Sequence, residues 1–331
     1  MTIGFGLIGA SDIAKHKMIA AIRNQPGCEV VSVYSSNLSR GQVFAEEKQI
    51  PHAAASLDDL LANPAVHAVY VSTTNELHHS QVLAAARAGK HVLCEKPLAM
   101  SLQQAREMVQ ACQEAGVVLA TNHHLRNAAT FQSIRTLIAE GAIGKPIAAR
   151  VFHAVYLREA LQGWRLDKPA AGGGVVLDIV VHGIDTLRFV LQAEPTEVVS
   201  LSQHFGMGTE QVEDGSMAVF RFDNGLIAQV HTAFTVKYAG NGFEVHGTEG
   251  SLVARHVMGP STQPELLLRN AAGEHLLPAD NTRLYDIGVA RFVSAIQGEG
   301  TPAASGEDGL KSLAAALGCL ESARTGQKVA I

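Results

Sequence analysis

The sequence predicts an α/β protein of two domains, and three observations support this prediction. The chain has 331 residues, and a domain usually takes about 100 to 200. Over the first 125 residues, short apolar runs alternate with amphipathic helical stretches, which is typical of a parallel sheet covered by helices. After about residue 145, strand-like segments follow one another with few helices between them, which favours an α+β domain with a largely antiparallel open sheet. We therefore expect one domain over residues 1–125 and a second over residues 126–331.

The elements of the first domain are predicted from runs of β-branched and apolar residues and from the helical stretches between them. Strands are expected at 3–8, 29–34, 68–72, 91–95 and 117–121. Helices are expected at 12–23, through 84–86 as far as Gly89, and from Ser101 to about Gly116. Ser101 and Gln104 have the spacing of a capping box, in which the serine caps the helix and the glutamine bonds back to it.

The second domain is predicted to be rich in hairpins. Strands are expected at 147–156, 216–222, 226–233, 243–246 and 251–257, and helices at 176–191, 287–297 and 306–325. The pair Asn224-Gly225 lies between two of these strands and is a strong signal for a tight hairpin. The glycine run at 172–174 comes directly before the first of the helices.

Composition and charge exclude several classes of protein. The formal charge is 26 − 31 = −5, which disfavours a large nucleic-acid-binding surface. No apolar stretch approaches the ~18 residues of a membrane span, and the first residues lack the pattern of a signal peptide. The four cysteines contain no C-x-x-C pair, and the histidines show no metal-ligand spacing. We expect a cytoplasmic protein without a metal site and without nucleic-acid or membrane partners.

A dinucleotide-binding turn is predicted where the first strand meets the first helix. In the fingerprint G-x-G-x-x-G/A, the first glycine makes the turn and the last small residue lets the helix pack on the strand. Gly9 and Ala14 fit these two positions, but Ser11 replaces the middle glycine. The residues assigned to this cofactor turn are Gly9, Ala10, Ser11, Asp12, Ile13 and Ala14. The first domain is therefore predicted to be a Rossmann dinucleotide-binding domain.

The end of the second strand predicts which dinucleotide is bound. An NAD site carries an acidic residue there, which bonds the 2′-hydroxyl of the ribose. This chain has Ser35-Ser36 and then Arg40 instead. Hydroxyl groups and a guanidinium suit a 2′-phosphate, because arginine forms charge-assisted bonds to phosphate. NADP, as NADPH, is the predicted cofactor.

Two further motifs lead to a family resemblance. Glu95-Lys96-Pro97 follows a predicted strand at the carboxyl edge, where open α/β sheets bind ligands. Asp178 and His182 are four residues apart, so they share one face of the predicted helix. With the turn at Gly9, these motifs resemble the Gfo/Idh/MocA (glucose–fructose oxidoreductase, inositol dehydrogenase, rhizopine catabolism) family over essentially the whole chain. Ser11 departs from the pattern of the broad family.

The resemblance implies roles for individual residues. Lys96, His182 and Asp178 would be the catalytic residues, with a cis peptide before Pro97. The implied cofactor contacts outside the first turn are Ser35, Ser36, Arg40, Thr73, Thr74, Asn75, Glu76, Leu77, His78, Glu95, Lys96, Asn122, Trp164, Arg165 and Tyr285. The implied substrate contacts are Lys96, His153, Arg165, Asp178 and His182.

The expected activity is NADPH-dependent reduction of a sugar-derived ketone by hydride transfer. A histidine with an ordinary pKa of ~6.5 suits a general acid, and a lysine can stabilise the developing alkoxide. Either Lys96 or His182 could supply the proton, because burial can lower the pKa of a lysine. The alternatives are a polyol or aldose dehydrogenase of the inositol, glucose or xylose type, and a nucleotide-sensing regulator without turnover. The resemblance implies a monomer, or a homo-oligomer through the open sheet.

Overall fold

The structure, a computed structural model, describes residues 2–259 and 263–331 and divides into two compact units. The first unit consists of Met1–His124 and Tyr285–Leu310, and the second consists of Leu125–Leu284 and Lys311–Ile331. None of the helices in these described ranges combines the length and the apolar character that a membrane crossing needs. Each unit has its own sheet, and the predicted fold class is confirmed.

The first unit is built on a six-stranded parallel sheet. Its strands are β1 (Ile3–Ile8), β2 (Cys28–Tyr34), β3 (His52–Ala54), β4 (Ala68–Val71), β5 (His91–Cys94) and β6 (Leu119–Thr121). They lie in the order β3-β2-β1-β4-β5-β6, which is the strand order of a Rossmann fold. Strand β3 was not predicted, because its three residues, His-Ala-Ala, carry no β-branched or alternating pattern.

Side chains cap three of the helices of the first unit, at Asn37, Ser56 and Ser101. A π-helical turn over Ala14–Met18 continues as α1 (Ile19–Arg23), followed by α2 (Leu38–Lys48), α3 (Leu57–Ala62), α4 (His78–Arg87) and α5 (Leu102–Glu114). The Oγ atom of Ser101 accepts the amide N–H of Gln104 at 3.2 Å, as predicted. The Gln104 side chain bonds the amide of Met100, one residue before the cap, rather than that of Ser101. The capping box is therefore only partly formed.

The predicted domain division needs one correction, because a late segment returns to the first unit. Helix α9 (Leu284–Ile296) contributes Val289, Phe292 and Val293 to the core around strand β1. The ring of Phe292 lies 6.2 Å from that of Phe5. Burial of these apolar side chains places residues 285–310 with the Rossmann sheet, whereas the sequence prediction assigned them to the second domain.

The second unit is a nine-stranded mixed sheet with helices. Its strands are β7 (Pro146–Ala154), β8 (Pro195–Gln203), β9 (Gly215–Phe222), β10 (Ile227–Ala233), β11 (Asn241–Gly247), β12 (Gly250–Arg255), β13 (Glu265–Asn270), β14 (Gly273–Leu277) and β15 (Val329–Ala330). Within the described part of this second sheet, β7–β10 is the only parallel strand pair. The turn between β9 and β10 has Gly225 at φ +85°, which explains the Asn-Gly pair.

The second unit also contains helices. They are α6 (Ala129–Ala139), α7 (Trp164–Asp167), a π-helical turn over Val176–Val180 that leads into α8 (Val181–Leu191), and α10 (Gly306–Thr325). Every residue of α8 is buried. A side chain at Gly183 would come within 3.2 Å of Val151, so this glycine allows α8 to approach strand β7 closely. On the strands β8 and β9, Val199 and Val219 are exposed, so this part of the sheet is open.

Candidate active site

The turn after β1 has the geometry of a dinucleotide-binding loop. Gly9 has φ +112°, a conformation that favours glycine, and a Cβ there would lie 3.1 Å from the carbonyl oxygen of Ser72. Ala14 is fully buried at the start of the first helical segment. Ala10 and Ile13 are half-buried, and Asp12 is exposed. The turn thus presents the beginning of a helix at the carboxyl edge of the parallel sheet.

Ser11 has a structural role that a glycine could not fill. Its Oγ atom accepts the amide N–H of Ala14 at 3.2 Å and lies 2.7 Å from the Oγ atom of Ser72. The first contact is that of a helix cap, and the second joins the turn after β1 to the end of β4. The departure from the glycine fingerprint therefore comes with two hydrogen bonds that hold the turn.

The guanidinium of Arg40, on α2, lies close to the end of β2. The Nε atom of Arg40 donates to the Oγ atom of Ser35 at 3.1 Å, and the amide N–H of Arg40 donates to the Asn37 side chain at 2.9 Å. Ser35 is buried, whereas Ser36 and Arg40 are exposed. Asn37, which sequence reasoning missed, caps α2 and sets the start of the helix that carries Arg40. The arrangement can bind a phosphate ester at this corner.

The loop from Thr73 to His78 is held by its own side chains. Thr73 donates to Gln81 at 2.7 Å, and Thr74 donates to Glu76 at 2.8 Å. Asn75 is buried, and Leu77 is exposed. The residues of this loop lie between the end of β4 and the start of α4, at the same edge of the sheet as Gly9.

His78 supports this loop rather than presenting its ring to a ligand. The ring is fully buried, with Nδ1 3.0 Å from the carbonyl oxygen of Pro97 and Nε2 3.3 Å from that of Thr73. Burial lowers the pKa of His78 below its ordinary value. The ring therefore connects the loop after β4 to the turn that contains Lys96 and Pro97.

The turn after β5 is anchored by a partly buried carboxyl group. The Oε1 atom of Glu95 accepts Tyr70 Oη–H at 2.5 Å and Asn122 Nδ2–H at 2.6 Å. Burial raises the pKa of Glu95, although both donors oppose this effect. Lys96 is half-buried, and the peptide bond to Pro97 is cis, as the resemblance implied. Tyr70 was missed by sequence reasoning, although it is the one polar side chain in the apolar run Ala-Val-Tyr-Val.

Tyr285 belongs to the same cluster in the first unit. Its ring stacks on that of His124, with centroids 5.0 Å apart, and its pKa is raised by burial and by the nearby Glu95 carboxyl. Tyr285 reaches this position because the segment that begins with it returns to the Rossmann unit. The predicted cofactor residues of the first unit therefore line the carboxyl edge of one sheet.

The second unit brings together a separate set of predicted residues. Asp178 lies in the π-helical turn, half-buried, and His182 follows on the first turn of α8, buried with about 8% of its surface exposed. The Nε atom of Arg165 is 3.4 Å from the Oδ2 atom of Asp178, and its guanidinium lies over the Trp164 ring at 4.5 Å. Arg165 and Trp164 begin α7, so this short helix and the π-helical turn form one polar cluster. His153 is half-buried on strand β7.

Asp185, one turn beyond His182, takes part in a buried ion pair. The guanidinium of Arg126 donates to both its carboxylate oxygens, at 2.7 and 2.8 Å, and the hydroxyl of Ser312 donates at 2.9 Å. This network fixes α8 against the rest of the second unit, and sequence reasoning missed the partners Arg126 and Ser312. Within the part of the chain that the structure describes, no group of three or more histidine, cysteine or acidic side chains is placed to hold a metal ion.

Comparison with protein families gives the class of this protein. Residues 3–123 match the oxidoreductase family with an NAD-binding Rossmann fold, and residues 131–253 match the GFO/IDH/MocA C-terminal domain. The chain belongs to the Gfo/Idh/MocA family of oxidoreductases, as the sequence motifs predicted. It is an enzyme of this class, and its first unit is an NAD(P)-binding Rossmann domain.

Comparison with individual proteins shows which members of the family this chain is similar to. The chain is 59% identical over 327 residues to the 1,5-anhydro-D-fructose reductase of Ensifer adhaerens, covering 99% of this chain and 98% of that protein. It is 27% identical to an NADP⁺-dependent D-xylose 1-dehydrogenase of Haloferax volcanii over 98% of both chains. The crystal structure of an aldose-aldose oxidoreductase from Caulobacter crescentus, complexed with glycerol, superimposes with a TM-score of 0.91 at 24% identity, over all of both chains. At that identity, this likeness supports the fold alone.

Proposed function

We propose that this enzyme reduces the C2 ketone of 1,5-anhydro-D-fructose to 1,5-anhydro-D-mannitol with NADPH. The observation that carries the proposal is the 59% identity, over 99% of the chain, to a 1,5-anhydro-D-fructose reductase. The residues assigned to the reaction agree with this chemistry, because a hydroxylated ring needs polar partners. His153, Arg165, Asp178 and His182 can each bond a sugar oxygen, and such groups penalise analogues that leave them unpaired.

The preference for NADPH rests on the corner after β2. Arg40, held by Ser35 and by the cap at Asn37, offers a guanidinium to the 2′-phosphate. No acidic residue stands at the end of β2 to bond the free 2′-hydroxyl of NADH. The residues present therefore fit the phosphorylated dinucleotide better than the unphosphorylated one.

The turn at Gly9 and the side chains of Ser35 and Arg40 would hold the dinucleotide, which when bound would supply a hydride to the ketone carbon. Side chains of the protein stabilise the developing charge and donate the proton. The carbonyl oxygen gains negative charge in the reduction, and the ammonium group of Lys96 stabilises it as a fixed cation. His182 supplies the proton as general acid, and Asp178 binds and orients the sugar. The two roles of Lys96 and His182 can be exchanged, because an ammonium and an imidazolium group can each donate a proton.

The hydrogen bonds beneath Lys96 support its position. Glu95 is fixed by Tyr70 and Asn122, and the carbonyl oxygen of Pro97 lies against the His78 ring. The residues on both sides of Lys96 are thus tied to β4 and α4. A lysine carried on a fixed turn loses less orientational freedom when it meets the substrate, which favours catalysis.

Two other functions would be distinguished from the proposed one by the activity assay described below. A polyol or aldose dehydrogenase of the same family would oxidise inositol, glucose or xylose with the same residues. A nucleotide-sensing regulator would bind the dinucleotide without turnover, but this chain retains Lys96, Asp178 and His182.

The test follows NADPH oxidation with 1,5-anhydro-D-fructose and identifies the product. We expect stoichiometric conversion to 1,5-anhydro-D-mannitol, without the C2 epimer. The complete absence of turnover with ketoses, anhydroketoses and inososes would contradict the proposed reductase activity. Turnover only with inosose or another ketose would show that the enzyme acts on a substrate other than 1,5-anhydro-D-fructose.

A further inference from the structure

A buried carboxyl group in the second unit connects the elements that carry Asp178 and Arg165. Glu213 lies in the segment between β8 and β9 and has only about 8% of its surface exposed. Its Oε1 atom accepts the amide N–H of Val176 at 3.0 Å, and its backbone carbonyl accepts the amide N–H of Val175 at 3.1 Å. Val176 is the first residue of the π-helical turn, two residues before Asp178.

The glycine run leaves room for this carboxyl group. Gly174 has φ +111°, and a Cβ there would overlap the Glu213 carboxyl oxygens, at 2.3 and 2.6 Å. A Cβ at Gly173 would lie 2.8 Å from the carbonyl oxygen of Trp164. The amide N–H of Gly174 donates to the carbonyl oxygen of Arg165 at 2.9 Å. Glycines here therefore allow Glu213, α7 and the π-helical turn to meet backbone to backbone.

The segment that carries Glu213 also holds α7. The amide N–H of Thr209 donates to the carbonyl oxygen of Leu166 at 2.8 Å, in the middle of α7. Asp214, which follows Glu213, accepts the amide N–H groups of Phe205 and Met207 and so fixes the conformation of the segment. One segment thus contacts both elements of the polar cluster, and Glu213 is the side chain that joins it to the π-helical turn.

We infer that Glu213 is a positioning residue, which sets the start of the π-helical turn so that Asp178 meets the sugar in the correct orientation. This inference rests on the roles proposed above for Asp178 and His182. Glu213 acts through the bond from Val176 N–H, because its carboxyl group is covered by Gly174 and by the segment that carries it. The role depends on the length of the Glu213 side chain, which brings Oε1 within hydrogen-bonding distance of Val176 N–H. Loss of this acceptor would leave the buried amide of Val176 unpaired, which costs free energy.

Two substitutions separate reach from charge. Glu213→Gln keeps an oxygen at the same distance and removes the charge, whereas Glu213→Asp keeps the charge and shortens the side chain. We expect Glu213→Asp to lower kcat for 1,5-anhydro-D-fructose by roughly 10- to 100-fold and to raise KM for the sugar, since misplacement by about 1 Å costs this much. Glu213→Gln should retain most of the activity. Glu210→Asp, an exposed acid in the same segment, is the matched control.

The assays are run below the thermal unfolding midpoint of each variant, so that loss of folded protein does not lower kcat. Full activity in both Glu213 variants, equal losses in both, or a greater loss in Glu213→Gln would overturn the inference. Asp178→Asn and His182→Ala are measured in the same series. Normal kinetics in these two variants would refute the proposed site itself, whereas impaired kinetics in them with a normal Glu213→Asp enzyme would refute only the role of Glu213.

Discussion

Replacing Arg40 by alanine should weaken NADPH binding and leave NADH binding unchanged. Arg40 Nε donates to Ser35 Oγ, which leaves the terminal guanidinium nitrogens for a phosphate. A hydrogen bond to a charged group contributes about 1.5–3 kcal/mol, or roughly one to two decades in affinity. Arg40 is exposed and its charge is screened by salt, so the lower end of this range is expected. We therefore expect KM for NADPH to rise roughly tenfold.

The assay measures initial rates over a range of NADPH and NADH concentrations at saturating 1,5-anhydro-D-fructose. Arg106→Ala, at an exposed arginine on α5 of the same unit, is the matched control and should change neither KM. Equal use of NADH and NADPH by the unmodified enzyme would refute the reasoning from the end of β2. An equal rise in both KM values in Arg40→Ala would show that the guanidinium does not read the 2′-phosphate.

Three further predictions concern the proposed catalytic groups and the buried hydrogen bonds. Lys96→Met or His182→Ala should lower kcat by roughly two to four decades with NADPH affinity retained; near-normal kcat in His182→Ala between pH 6 and 8 would assign the proton to Lys96. Tyr70→Phe removes a donor from the partly buried Glu95 carboxyl and should lower the free energy of unfolding in urea by about 1.5–3 kcal/mol, and an unchanged unfolding midpoint would count against that bond. Burial lowers the pKa of the His78 ring, so the unfolded protein binds a proton at this ring at a higher pH than the folded protein does. The free energy of unfolding therefore falls as the pH drops through 6.5. His78→Asn should have a flatter stability profile between pH 7 and 5, and parallel profiles for the two proteins would contradict this.

Most of the Rossmann unit follows from local sequence signals. Strand runs, glycine turns and the Ser101 cap predict five of its six strands and the helices α1, α4 and α5, because each depends on residues close together in the chain. Strand β3 and the helices α2 and α3 were not predicted. The return of α9 could not be predicted in this way. Its apolar residues Val289, Phe292 and Val293 require a core, but their spacing does not say which of two sheets provides it.

In the candidate site, too, sequence reasoning identified residues in local motifs and missed residues whose partners are distant in the sequence. Motifs with fixed spacing, such as Glu95-Lys96-Pro97, identify residues whose neighbours in sequence are also neighbours in space. Tyr70 and Glu213 have no such motif, because their partners lie 25 and 37 residues away. His78 was identified from the sequence, but its place in a predicted loop does not indicate that its ring is buried between two carbonyl groups.

The proposed substrate is tested most directly by comparing kcat/KM values. The purified enzyme is assayed for NADPH-dependent reduction of 1,5-anhydro-D-fructose and for NADP⁺-dependent oxidation of glucose, xylose and myo-inositol. A C1-hydroxylated aldose adds a group that the polar contacts of the anhydroketose would have to accommodate, so we expect the highest kcat/KM for 1,5-anhydro-D-fructose and poor oxidation of glucose. A higher kcat/KM for any of the three other sugars would contradict the proposed substrate and leave only the family assignment.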